Sequence, residues 1–247
     1  MRTSPRTALF HAGLAALMAE APIAVAPATD APASTEGAAR AIVVRAIRAA
    51  GGRDALEQAA TLRWSGDAVV YAGDRRLDIR VATVVRPFQS ARSETWLREQ
   101  GPATKRTLVI DGDDGWIERN GRREPLPAAA LRHEIQQYAL YGLMRLLPLL
   151  EDGVALRALP PTADGGVALH VEHPAAPAAD LYFDAHARLR AIVDQVIDPN
   201  GGPPISQRIE LRGTARGAVV RWPRTIRILQ DGAPYFELTI RRLTTGR

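Results

Sequence analysis

Three aspartates, Asp111, Asp113 and Asp114, crowd the stretch IDGDDGW, and alternating oxygen donors of this kind open a calcium loop. Such a loop needs ligands at alternate positions and a distal glutamate. Gly115 stands where a third ligand belongs, so a tight turn between two strands fits these residues better. His170 and His173 are three apart; on a strand that spacing sends them to opposite faces, where they cannot share a metal. His133 and Glu134 adjoin in a helical pattern, but no H-E-x-x-H completes a zinc pair. His186 falls in the turn Asp184-Ala185-His186 and reads as solvent-exposed. Nucleophilic chemistry fares no better. The chain has no cysteine and no G-x-S-x-G, and Ser65, Ser90, Ser93 and Ser206 sit in strand patterns. Nothing places Glu94 and Glu99 across a cleft. These residue types and spacings argue against an enzyme and imply no metal and no cofactor.

The basic balance, a formal charge of +5 with pI about 10.2, raises nucleic acid as a partner. Almost all of it is arginine, Lys105 being the only lysine. The arginines are scattered along the chain, and phosphate binding needs a patch. Pairs such as Arg75-Arg76, Arg122-Arg123 and Arg241-Arg242 read as solvated strand ends and turns. Aromatic residues make up 5%, too few for a base-stacking platform. No nucleic-acid partner is expected.

At the N-terminus Arg2 and Arg6 precede the short apolar run TALFHAGLAALMA, followed by the A-x-A spacings Ala19-Glu20-Ala21 and Ala24-Val25-Ala26. That order is the layout of a cleaved secretory signal peptide over 1–26. His11 inside the run and a proline after each A-x-A leave a plain N-terminal tail as the other reading. Residues 27–36, PATDAPASTE, read as a flexible linker. No later segment is long and apolar enough to span a bilayer, so stable membrane insertion is not expected.

Residues 37–247 read as one α+β domain. From Gly37 to Ala50, Ala39, Ile42, Val43, Ala46, Ile47 and Ala50 recur at helical spacing, and Gly51-Gly52 stops the helix. A short helix over Arg53 to Ala60 follows. Then the period changes to two: Leu62, Trp64, Ala68 and Val70 alternate with Arg63, Ser65 and Asp67, with Gly66 marking a bulge. Leu77, Ile79, Val81 and Val85 continue after the turn Ala72-Gly73-Asp74. Further strands are expected near 89–98, 105–111 and 115–119, with Asn120-Gly121 a hairpin signal. After an interruption they resume near 153–158, 166–172, 179–184, 188–197, 204–212, 217–221, 223–230 and 234–243. Short turns make the pairing antiparallel. The interruption, PAAALRHEIQQYALYGLMRLLPLL over 127–150, is too apolar for a solvated helix. Gly142 and Pro148 are expected to break or bend it into two helical pieces.

Four segments resemble the LolA-like periplasmic proteins of the outer membrane lipoprotein-sorting, or lipoprotein carrier-like, family. AAGGRDALEQAATLRWSGDAVVY (49–71) resembles their opening helix, Gly-Gly, short helix and first strand. VIDGDDGWIERNG (109–121) resembles their "D-G-x-x-G-W" hairpin, and ADLYFDAHARLRAIVDQ (179–195) their paired strands. VVRWPRTIRILQDGAPYFELTIRRL (219–243) is similar to their last hairpin, although Pro223 comes later than in the usual "G-x-x-x-P" phrase. The resemblance covers about 38–245. It implies a curved antiparallel half-barrel of about 11 strands with helices covering the concave face. It also implies transport through the periplasm of a lipid, an acyl chain or a lipoprotein, with an inner- or outer-membrane protein as a further partner. The absence of cysteine sets the chain apart from the lipid-anchored receptor branch.

The expected function is therefore a soluble periplasmic binding or carrier protein with a hydrophobic cavity. The rival reading is a non-enzymatic sensor or structural module of the same fold that binds a protein partner. Under the first reading Tyr138, Tyr141, Met144 and Leu147 face a cavity. The opposite wall holds Leu62, Trp64, Leu77, Ile79, Trp96, Phe183, Ile226, Ile228, Phe236 and Leu238. Trp64 and Trp96 are favoured among the four tryptophans, all expected on strands, because each sits mid-strand.

Overall fold

The computed structural model describes residues 31–215 and 219–246. The expected signal segment, 1–26, and residues 27–30 lie outside the described residues. Helix α1 spans Ala31–Ala49 and therefore takes in 31–36, which composition alone assigns to a linker. Pro32 is no obstacle, because a first-turn proline lacks only a donor that the helix would not use. Helix α2 is a short piece, Arg53–Glu57.

Thirteen strands follow, all paired antiparallel in one curved, unclosed sheet. The first six are β1 (Thr61–Ala72), β2 (Arg75–Arg86), β3 (Ser90–Leu97), β4 (Arg106–Asp111), β5 (Asp114–Arg119) and β6 (Arg122–Pro125). The others are β7 (Ala155–Leu159), β8 (Val167–Glu172), β9 (Ala179–Phe183), β10 (Leu189–Val196), β11 (Ile205–Arg212), β12 (Thr225–Gln230) and β13 (Ala233–Gly246). The count exceeds the eleven that the resemblance implies and equals the number of segments marked by alternation, because the short, exposed edge strand β6 pairs beyond the Asn120-Gly121 turn while the segment near 217–221 is not a strand over its described residues. The aspartate cluster is the turn between β4 and β5, where Asp111 and Asp114 are register partners.

The order across the sheet is β6-β5-β4-β3-β2-β1-β13-β12-β11-β10-β9-β8-β7. Each half is a meander, and the β1–β13 pair joins them. Consecutive strands β6 and β7 thus lie at opposite edges. The chain between them has to cross the sheet from edge to edge, and it does so as helix α3 (Ala128–Met144) followed by a 3₁₀ turn, Leu147–Leu150. The break in this segment falls at Leu146, which adopts φ 64. Gly142 stays helical, and Pro148 sits in the first turn of the 3₁₀ segment, where a missing N–H costs nothing.

Gly142 has another purpose. Phe88 also has φ 64 and stacks on His173 with centroids 4.5 Å apart, and its ring lies where a Cβ on Gly142 would stand. The β2–β3 turn thereby clamps the lid. Gly142→Ala gains helix propensity of about 1 kcal/mol but overpacks against the ring, which costs about 1–3 kcal/mol. Denaturant titration should show a net loss in the wild-type background and a gain in a Phe88→Ala background. Equal effects in both would show that the ring does not dictate the glycine.

Gly66 marks the bulge expected from the sequence. The β1–β13 register shifts between Ser65 and Gly66, and the backbone of Thr239 occupies the space a side chain would need. The strand expected near 217–221 is not formed over its described residues: 219–221 are not extended, and 216–218 lie outside the described residues. The loop is fixed instead by Arg221 N donating to Ala50 O at 2.8 Å and by Ala215 N donating to Trp222 O at 2.8 Å. Trp222, expected on a strand, is buried in this loop, and Pro223 after it cannot donate to a ladder.

Period-two alternation gives the sheet a greasy inner face and a charged outer one. On the outer face carboxylates gather the arginines. Asp67 holds Arg80, Arg98 and Arg241, Glu210 holds Arg208, Arg212 and Arg227, and Asp184 holds Arg188 and Arg190. Exposed pairs of this sort contribute about 0–1 kcal/mol each, and they offset part of the positive charge of that face.

Candidate functional site

The inner-face rows are set by register. Trp64 pairs with Thr83, Ala68 with Ile79 and Leu238, Val70 with Leu77 and Phe236, and Ile226 and Ile228 continue the rows through β12. Above them α3 presents one stripe: His133, Glu134, Gln137, Tyr138, Leu140, Tyr141 and Met144, the spacing of a single helical face. Stripe and rows do not meet everywhere. Between them lies a cavity of about 710 Å³, within the roughly 300–1,000 Å³ of ligand sites.

Of the residues expected in the wall, Trp64, Leu77, Ile79, Trp96, Tyr138, Tyr141, Met144, Ile226, Ile228, Phe236 and Leu238 line this cavity. Three do not. Leu62 is fully buried in the packed core, at the far end of β1, beside Val85. Phe183 is buried on β9, toward the β7 edge, where α1 covers the sheet. Leu147 lies past the Leu146 break, in the 3₁₀ turn, half-buried against the core. All three carry the right alternation or apolarity, but they belong to the filled core or pack against it. Trp96 reaches the cavity differently. Its register partner is Arg80, so parity puts it on the outer face, and it borders the cavity where β3 ends and the 3₁₀ turn Gly101–Thr104 begins.

The wall also holds apolar residues that the sequence did not single out, including Val81, Leu108, Leu140 and Ile209. Their parity with Ile79, or their place on the α3 stripe, was the available signal. An aromatic cluster closes one side: Trp64 and Tyr141 have centroids 4.8 Å apart, Tyr138 and Tyr141 5.9 Å. Burial pushes both tyrosine hydroxyls well above their usual range.

The lid is pinned by polar contacts on its N-terminal half. His133 Nδ1–H donates to Ile197 O at 2.6 Å, Ile197 N donates to Gln136 Oε1 at 2.7 Å, and Gln137 Nε2 donates to Gln207 Oε1 at 2.6 Å. Gln207 Nε2 in turn donates to Asp194 Oδ1 at 3.2 Å. Because a carbonyl can only accept, Nδ1 carries the proton in the neutral ring, leaving Nε2 of this buried histidine without a partner.

One end of the cavity is polar. Burial pushes the Glu134 carboxyl up, and the charge of Arg106 pulls against that without reversing it. Arg106 and Arg119 line the same end. In the sequence Glu134 stands out only as half of an incomplete zinc pair, and the two arginines not at all, because pattern reading treats a charged residue in a strand as solvated. Among the described residues no group of three or more His, Cys, Asp or Glu could hold a metal ion, and no helix is long and apolar enough to cross a membrane.

The sequence matches no family model and no curated protein. Solved structures are similar to it. They include a LolA superfamily protein from Nitrosomonas europaea, with TM-score 0.51 and 11% identity over 85% of this chain and 93% of that one. A domain described as an outer membrane lipoprotein-sorting protein, from Vibrio parahaemolyticus, gives 0.53 and 11% over 84% and 92%. A DUF1329 family protein from Desulfovibrio piger gives 0.55 and 9% over 84% and 92%. At such identities the likeness is one of fold: this chain has the LolA-like fold.

Proposed function

We propose that this protein is a periplasmic carrier that holds the acyl part of a lipid or lipoprotein in the cavity beneath α3. The observation that carries the reading is the cavity itself, apolar along most of its length and left open where the rest of the inner face is filled. Each methylene moved there from water contributes about 0.8 kcal/mol, so an acyl chain binds without needing a specific partner for every atom. The LolA-like fold supports the reading, as does the N-terminal run with its A-x-A sites, which directs the chain to the periplasm. The chemistry required is binding and release, with no bond made or broken.

The reading is tested on the purified full-length protein with a fluorescent fatty-acyl probe. Saturable binding is expected, with affinity reduced about tenfold by Tyr141→Ala or Met144→Ala, the loss of about two buried methylene equivalents. Lipid extracted from protein isolated from its own periplasm should contain acyl chains at near one per protein. The mature chain should begin just after Ala21 or Ala26. A wild-type protein that binds no probe and carries no lipid would leave the rival reading, a module of this fold that docks a protein partner.

A further inference from the structure

The three central arginines of the β4–β6 side form a row that no outer-face arginine resembles. Arg106 on β4 is the register partner of Arg119 on β5, and Arg119 is the partner of Arg122 on β6. The row extends inward to Thr95 on β3, and Thr95, Arg106 and Arg119 all line the cavity. Like charges directly opposite one another on neighbouring strands are destabilising. Elsewhere this protein relieves such crowding with carboxylates, as at Asp67 and Glu210. Here it does not: among the described residues no ion pair joins Arg106, Arg119 or Arg122 to an acid, and Arg106 Nε is buried with no hydrogen-bond partner.

The one acid nearby is Glu134 on the lid. It feels the charge of Arg106 without forming an ion pair, and its burial favours the neutral carboxyl. The end of the cavity therefore presents two fixed positive charges, one of them with an unfilled guanidinium donor. At the other end stand Trp64, Ile226 and Leu238. A ligand complementary to both ends has an apolar tail and an anionic head.

Resting on the carrier reading above, we propose that the Arg106–Arg119 pair is a headgroup subsite, and that the cavity selects amphiphiles whose acyl chain ends in an anionic group such as a carboxylate or phosphate. The tail lies under α3 against Trp64 and Leu238. The head accepts hydrogen bonds from the two guanidinium groups at the β4–β5 end and relieves their mutual repulsion. Arginine suits the task because its planar fork can meet two oxygens of one anion at once.

The test uses the full-length protein, the neutral dye Nile red as reporter, and three twelve-carbon competitors of near-equal length: laurate, methyl laurate and dodecylamine. Laurate should displace the dye about tenfold more tightly than methyl laurate, the scale of a charge-assisted hydrogen bond, and dodecylamine should be the weakest. Arg106→Gln should bring laurate to the level of the ester and leave the ester unchanged. Arg119→Gln, next to the exposed edge strand, should do the same in part and guards against misfolding of the first variant. Equal displacement by acid and ester, or preference for the amine, overturns the subsite while leaving the carrier reading in place. Displacement by none of the three overturns both.

Discussion

Leu143→Ala should destabilise the protein by about 2–5 kcal/mol, and Met144→Ala, one residue further along the same helix, by markedly less. Leu143 is 0% exposed and belongs to the packed core, outside the cavity wall. Removing it leaves a void lined by neighbours that already pack closely, so the lost transfer energy and the cavity cost add. Met144 is 7% exposed and already borders open space on one side. Truncating it enlarges an existing cavity and removes fewer contacts. In urea titrations the Leu143 variant should show a lower midpoint with an unchanged slope, and its affinity for an acyl probe should stay near that of the wild type. The Met144 variant should show the opposite balance. A Met144 loss equal to or larger than that of Leu143 would mean that the space under α3 is filled in solution.

The second large effect is a pH dependence set by Asp194. Burial raises its carboxyl to about 6, with the hydrogen bond from Gln207 only partly offsetting the cost, and its Oδ2 has no partner. The folded protein thus holds this proton more tightly than the unfolded chain does. Stability from this group is fully present below about pH 4, where both states are protonated. It is lost as pH rises toward 6, where the folded protein must bury a charge; the whole effect is about 3 kcal/mol. Asp194→Asn keeps an acceptor for Gln207 and removes the charge. The gain at pH 7.5 should be about 1–3 kcal/mol, smaller than the full penalty because the new amide N–H has no obvious acceptor. The variant should also lack the decline between pH 4 and 6. Subtracting the two stability profiles isolates this residue from the other titrating groups, and a flat difference would show that Asp194 is solvated. The wild-type cost stands in a network running through Gln207 to Gln137 on the lid, so a natural carboxylate there ties lid attachment to pH.

Much of the architecture was legible without coordinates, for local reasons. Alternation from Leu62 to Val70 follows from the two-residue strand repeat, Asn120-Gly121 turns the chain because it tolerates positive φ, and Gly66 bends β1 because nothing larger fits beneath Thr239. The greasy 127–150 segment had to be covered, since so much apolar surface cannot face water. Ten of the fourteen expected wall residues line the cavity as strand parity and helix spacing direct; Trp96 borders it against its parity, at the end of β3.

What the sequence by itself determined, then, is which residues face inward, where the turns fall and that the interrupting helix covers the sheet. The tertiary structure alone decided where inward-facing residues meet a filled core and where they meet space. Leu62 and Trp64 share a face of β1, yet only Trp64 lines the cavity, because the distance from sheet to lid depends on where α3 is pinned at Ile197, Gln207 and Phe88. It also decided that Arg106, Arg119 and Arg122, apart in sequence and individually unremarkable, stand in one row. Pairing register is a long-range property: it is set by the packing of the whole sheet, and a one-residue slip would send the row to the other face.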